Sequence, residues 1–239
     1  MKHIKPASVI LLGLVSLTAA CQQKPVEAPK TAATMTEDQK AIYAYGAAIG
    51  QQLAEQNKQL RLSPEELEVF RTAFGDTVSG KEPAVKIEEY ETRFRELAQA
   101  RIAANAADAK KSGEEFLASA ASKEGAVKTE SGLVFRTITP GKGGDHPKAT
   151  DVVTVHYQGT LPDGTVFDSS VQRGQPAEFA LNQVIPCWTE GVQRMTVGEK
   201  AQLVCPATLA YGDRNTGGPI PPGSTLNFEV ELLGIKGKQ

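Results

Sequence analysis

An α+β fold follows from a change of hydrophobic period partway along the chain. Up to about residue 122 apolar residues recur at helical intervals, and the stretch from about 86 to 122 holds no proline. From Ala126 the period falls to two, and within that β-rich half the segment VIPCWTEGVQRM returns to helical spacing. The expected core is therefore an antiparallel sheet wrapped around one short helix. The chain has 239 residues, 40% of them hydrophobic, enough for a genuine core. Its 26 basic and 28 acidic residues nearly cancel, which gives no electrostatic footprint for nucleic acid.

Residues 1–20 read as a secretory signal: Lys2 and Lys5, an apolar run from Val9 to Leu17, then Ala19 and Ala20 before Cys21. That run is too short to span a bilayer as a mature helix. A cysteine directly after small residues resembles the bacterial lipobox, which implies lipidation of Cys21 and stable anchoring through several acyl chains. Thr18 stands where that pattern favours Leu, so a plain cleaved signal is the alternative. With Gln22 and Gln23, not Asp, after the cysteine, bacterial sorting rules point to the outer membrane, in the cell envelope. Residues 21–35 carry Pro25 and Pro29 without periodicity and form a flexible tether.

Residues 36–85 form a helical region. A first helix opens at Thr36, a capping-type residue followed by acids, and spaces Ile42, Tyr45, Ile49 and Leu53 along one face. Gly46 and Gly50 allow close approach of another backbone, or are simply tolerated in a packed helix. Ser63 caps a second helix, with Pro64 in its first turn, Glu66 completing the cap, and Gly75 or Gly80 near its end. Residues 86–122 are one connecting helix, about 50 Å long at ~1.5 Å per residue. Its first part carries Ile87, Tyr90, Phe94 and Leu97 as a stripe that needs a partner. After Ile102 the stripe fades into alanines, which predicts an exposed strut with Gly113 as its weak point. Helices this short cannot cover their own apolar faces, so a homodimer paired through residues 36 to about 97 is expected, with a self-contained hairpin as the alternative.

Residues 126–239 form the β-rich domain. SGLVFRTI is a strand, GKGGDHPKATD a loop, and DVVTVHYQG a strand with Val153, Val155 and Tyr157 on one face. Pro162, Asp163 and Gly164 supply the turn into a further strand bearing Phe167 and Asp168. AEFAL and KAQLVC are strands, and STLNFEVELL sends Leu226, Phe228, Val230 and Leu232 inward. The short helix starts at Pro186 and spaces Trp188, Val192 and Met195.

No familiar covalent machinery accompanies these elements. Ser169 and Ser170 lack a G-x-S-x-G elbow, PGKGGD is no phosphate loop, and His156 alternates outward. No metal or cofactor is expected. Taken alone, Trp188, Phe228 and Val184 read as core, Tyr211 as a turn tyrosine and Asp168 as a capping acid.

Together, VHYQGTLPDGTVFDSS, QVIPCWTEGVQRMTVGEKAQLVCPATLAYG and IPPGSTLNFEVELL resemble the FKBP-type peptidyl-prolyl cis–trans isomerases, over about Gly132 to Lys236 and in that family's order. The helical front half resembles, more loosely, the dimerisation module and connecting helix of bacterial macrophage infectivity potentiator and FkpA-type proteins, which are secreted homodimers. The resemblance implies a half-wrapped sheet and a pocket formed by Tyr157, Phe167, Asp168, Val184, Ile185, Trp188, Tyr211, Ile220 and Phe228, with Trp188 as floor. It also implies isomerisation of Xaa-Pro bonds in folding envelope proteins, with Asp168, Tyr211 and Tyr157 as catalytic groups, the Ile185 N–H and Tyr211 OH meeting substrate carbonyls, and macrolide inhibitors as ligands. Strand alternation sends Phe167 and Asp168 to opposite faces, so both reach one pocket only if the strand bends.

Two positions depart from the family pattern. Cys187 stands where many relatives have Gly, and with Cys205 on a neighbouring strand in an oxidising compartment a Cys187–Cys205 disulfide is expected, two buried thiols being the alternative. Ala177 stands where some relatives carry an aromatic residue. The rivals to an isomerase are a non-enzymatic chaperone and a surface interaction protein using the same cleft.

Overall fold

The computed structural model describes residues 31–237; the expected signal, Cys21 and the first part of the tether lie outside the described residues. A first unit contributes residues 31–46, with a 3-10 turn at Ala32–Thr34 and the start of helix α1, Glu37–Asn57. Thr36 and Gln39 cap α1 reciprocally: each backbone N–H donates to the other's side-chain oxygen at 3.2 Å. Ile42 and Tyr45 on this helix are both 71% exposed.

The second unit begins at Ala47. A 3-10 turn at Lys58–Leu60 follows α1, then helix α2, Pro64–Val78. Ser63 and Glu66 form the expected capping box. Helix α3 runs from Ile87 to Ala121. Hydrogen bonds from Arg101 on α3, then one from the Ser63 N–H, hold the Glu66 carboxyl down at about 2.

Among the described residues there are seven strands: β1 (Ala126–Lys128), β2 (Val134–Thr139), β3 (Val152–Thr160), β4 (Val166–Ser169), β5 (Ala177–Ala180), β6 (Lys200–Cys205) and β7 (Leu226–Ile235). Their order is β1-β2-β6-β7-β3-β4, with β5 also pairing β3, and every pairing is antiparallel. Alternation holds in β3 and β7: Val153, Val155, Tyr157, Leu226, Phe228, Val230 and Leu232 are buried. Helix α4, Pro186–Val192, packs Cys187, Trp188 and Val192 into that same core. Met195, expected on the helix, lies beyond its end but is still fully buried.

The exposed-strut reading of α3 is corrected. Asn105, Gly113 and Ala120 are buried, and Phe116 and Leu117 pack with Ala120 on Val134 and Val204 of the sheet. The row 102, 105, 109, 113, 116, 120 does recur at helical spacing; its members are mostly small and bury little area each, so it reads as a fading stripe. Gly113 is not a weak point but a contact: a Cβ there would lie 2.5 Å from Thr225 Oγ1 and 2.9 Å from its Cβ. The first part of α3 stays bare, with Ile87, Tyr90 and Phe94 more than half exposed.

Candidate active site

A cavity of about 770 Å³ opens between β3, β4, β7, α4 and the segment after Ala210. Every residue expected in the pocket lines it: Tyr157, Phe167, Asp168, Val184, Ile185, Trp188, Tyr211, Ile220 and Phe228. The size is that of a small-molecule or peptide site.

Aromatic edges build it. Trp188 stands nearly perpendicular to Tyr157, Phe179 and Phe228, with ring centroids 5.2, 5.4 and 5.4 Å away. Phe167 meets Phe228 edge to face at 5.6 Å. Edge-to-face contacts put the positive rim of one ring on the negative face of the next, and so fix a box rather than a collapsed core. Gly159 makes room for them, since a Cβ there would lie 2.6 Å from Phe167 and 2.9 Å from Phe228.

A bulge solves the problem of Phe167 and Asp168. Gly159 pairs with Asp168 and Thr160 with Val166, so Phe167 is the extra residue on β4. Such a bulge re-aims a side chain, and here it turns neighbours in sequence toward one cavity. Ser170 locks the bend: its Oγ accepts from the Tyr157 N–H at 2.8 Å, and its N–H donates to the Tyr157 carbonyl at 3.0 Å. Ser170 is thus accounted for as structural, and Ser169 Oγ accepts from the Gln172 N–H at 3.2 Å. His156 Nδ1 lies 3.1 Å from the same Oγ.

Asp168 is fully engaged. The Tyr157 hydroxyl donates to its Oδ2, Arg173 Nη1 pairs with its Oδ1, and Arg173 Nη2 donates to the Tyr157 oxygen at 3.1 Å. Partial burial pushes the Asp168 carboxyl upward, but the Tyr157 and Arg173 hydrogen bonds and the Arg173 charge outweigh it, so Asp168 titrates below the ordinary carboxylate range. Burial, and then the bond to Asp168, raise the Tyr157 hydroxyl. Arg173 also lies 5.7 Å from the Tyr157 ring centroid, within cation–π range.

Donors remain unspent beside the rings. Among the described residues the Ile185 N–H, at the N-cap of α4, and the Tyr211 hydroxyl pair with no acceptor, and the buried Trp188 Nε1 has none either. Below the floor, Cys187 and Cys205 are joined as a disulfide with Cα atoms 5.7 Å apart.

Sequence reasoning missed Arg173 and Phe179. A carboxylate partly buried beside aromatic rings is stabilised by a nearby cation, and Arg173 is the first basic residue after Asp168. Phe179 shares a face with Ala177 by simple alternation; the two pair with Val153 and Val155 on β3. Phe179 lines the cavity and meets Tyr157 and Trp188 edge to face. Among the described residues no His, Cys, Asp and Glu cluster could hold a metal ion.

Comparison with known proteins places the fold and the family. Residues 143–233 match the family model described as FKBP-type peptidyl-prolyl cis-trans isomerase, and residues 38–137 match the domain amino terminal to FKBP-type peptidyl-prolyl isomerase. The FKBP-type peptidyl-prolyl cis-trans isomerase FkpA of Aeromonas hydrophila is 44% identical over 223 residues, covering 89% of this chain and 81% of its own. The FKBP-type 22 kDa peptidyl-prolyl cis-trans isomerase of Escherichia coli K12 is 46% identical over 207 residues, covering 84% and 96%. The crystal structure of FkpA from Escherichia coli superposes with a TM-score of 0.60 at 36% identity, covering 84% of this chain and 97% of that one. The chain belongs to the FKBP-type peptidyl-prolyl cis–trans isomerases.

Proposed function

We propose that the enzyme accelerates Xaa-Pro rotation by drawing the imide into the aromatic cavity and holding its twisted carbonyl there. The obstacle is amide resonance, about 18–20 kcal/mol, and no covalent bond has to break. The planar imide is more charge-separated than the twisted one, so a dry cavity destabilises the planar form selectively. The observation that carries this reading is an aromatic box with the Ile185 N–H and Tyr211 OH unspent at its wall. In this account Phe167, Trp188, Phe228, Val184 and Ile220 hold the proline ring, while Ile185 and Tyr211 meet carbonyl oxygens. Asp168, fixed by Arg173, orients Tyr157. A million-fold acceleration needs about 8 kcal/mol of preferential transition-state binding, within reach of desolvation plus one or two hydrogen bonds. The cavity also suits a macrolide inhibitor.

We further propose a lipid-anchored homodimer acting on non-native envelope proteins, paired through residues 36 to about 97, with 86–122 as connecting helix and 126–239 as isomerase domain. The bare Ile87, Tyr90 and Phe94 stripe on α3 and the lipobox-like Cys21 support it. Among the described residues no helix is long and apolar enough to cross a membrane.

A Phe94→Asp variant tests the dimer, with Cys21→Ser testing the anchor in the same preparation. Phe94→Asp is expected to sediment as a monomer, keep its activity on short proline peptides and lose activity on refolding protein clients. Cys21→Ser is expected to leave the membrane fraction. A dimeric Phe94→Asp protein would refute the interface, and loss of client activity without any peptide activity in the parent protein would favour the non-enzymatic chaperone.

A further inference from the structure

The cavity's outer wall is a loop, and the helical front half holds it. The Gly223 N–H donates to the Gly212 carbonyl at 2.8 Å, closing residues 212–223 into one loop that supplies Thr216, Gly218, Pro219 and Ile220 to the cavity. No strand ladder supports it. From within, Thr216 Oγ1 donates to the Ile220 carbonyl at 3.2 Å and the Gly217 N–H to Asn215 Oδ1 at 2.9 Å.

From outside, the support comes from α3 and the turn before α2. Arg101 Nη1 donates to the Leu60 carbonyl at 3.1 Å and Asn105 Nδ2 to the Gln59 carbonyl at 2.5 Å, which seats the turn Lys58–Leu60 on α3. The Gln59 side chain then donates from Nε2 to the Gly218 carbonyl at 2.8 Å. Gln59 is only 8% exposed, so its amide and the carbonyl it meets would both lose a partner if the contact opened. The start of the loop is tied by Lys110 and Asp213, 2.8 Å apart but both solvent-exposed, a contact worth little. The buried Gln59 bond is the stronger restraint.

We propose that Gln59 is a positioning residue for the substrate pocket: seated on α3, it fixes the Gly218 wall in the conformation that receives the proline-containing chain. A glycine-containing loop left unbraced must be ordered when substrate binds, and that entropy is then subtracted from affinity. Once substrate is bound the wall is ordered in either case, so the chemical step is little changed. Loss of Gln59 therefore raises KM and spares kcat. The inference rests on the cavity being the substrate site.

The test uses the full chain with Gln59→Met, which keeps side-chain length and removes the donor, and with Asn105→Leu, which unseats the turn. Both are expected to raise KM for a proline tetrapeptide about two- to tenfold, the range a single hydrogen bond spans, with kcat within about twofold. Amide hydrogen exchange across residues 216–220 should quicken in both. Unchanged KM and exchange in Gln59→Met overturns the proposal, as does a fall in kcat at constant KM. Tyr211→Phe in the same assay separates the two readings. If the cavity is not the substrate site, Tyr211→Phe leaves both constants unchanged while exchange at 216–220 still responds to Gln59→Met.

Discussion

An Asp168→Ala variant is expected to fold and to lose about ten- to a hundredfold in kcat/KM on proline peptides, equivalent to about 1.4–2.8 kcal/mol of transition-state stabilisation. The size follows from what Asp168 touches. It makes no bond to a reacting atom in this account, so its loss should fall short of removing an oxyanion donor, which costs on the order of 10²–10³. It does hold the Tyr157 hydroxyl and Arg173, and without it the partly buried Tyr157 hydroxyl loses its acceptor. Because Arg173 and Tyr157 depress the Asp168 carboxyl, the folded protein keeps the charge to lower pH than the unfolded chain does. Its stabilising contribution is thus complete above the ordinary carboxylate value and is lost as pH falls through the depressed folded value. The pH profile of kcat/KM should accordingly stay flat on the acid side until below the usual carboxylate range. A wild-type profile that falls between pH 6 and 5, or an Asp168→Ala protein with full activity, contradicts the assignment.

Removing the crosslink with Cys187→Ala and Cys205→Ala together is expected to lower the thermal midpoint of the isomerase half by roughly 10 °C. The bridge spans a sequence separation of 18, for which chain entropy alone predicts about 3 kcal/mol. In a domain of this size each kcal/mol moves the midpoint by about 4 °C or more. Location adds to the effect. Helix α4 has 7 residues, too short to persist unaided, yet it carries Trp188 and presents the Ile185 N–H. Both cysteines are fully buried, so the substitutions also leave space in the core. Calorimetry of the reduced and oxidised wild type checks the result independently of the substitutions. A shift smaller than about 3 °C would mean that packing, not the crosslink, holds α4.

What could be read in advance divides by the range of the interaction. Alternation along β3 and β7 and the Ser63 cap are local patterns, and each is legible from neighbouring residues. The FKBP-like motifs carried the site beyond that, because Trp188 and Phe228 look like ordinary core when taken singly. The bulge that puts Phe167 and Asp168 on one cavity depends on pairing between β3 and β4, which no period reveals. The docked half of α3 escaped notice because Ile102 and Phe116 in its contact row are separated by Asn105, Ala109 and Gly113, residues whose fit matters more than their area. The Gln59 bond to Gly218 joins positions 159 residues apart and has no sequence signal at all.

The central claim is that the imide rotates while its proline ring sits on the Trp188 floor of a dry aromatic cavity. A two-dimensional exchange spectrum of an Ala-Pro peptide with catalytic amounts of protein tests it directly, because rotation and proximity appear as cross-peaks in the same data. Trp188 is the single tryptophan in the chain, so its indole protons are unambiguous. The account predicts accelerated cis–trans exchange together with cross-peaks between proline-ring and indole protons. Accelerated exchange with no indole contact, or indole contact with exchange at the uncatalysed rate, would contradict it.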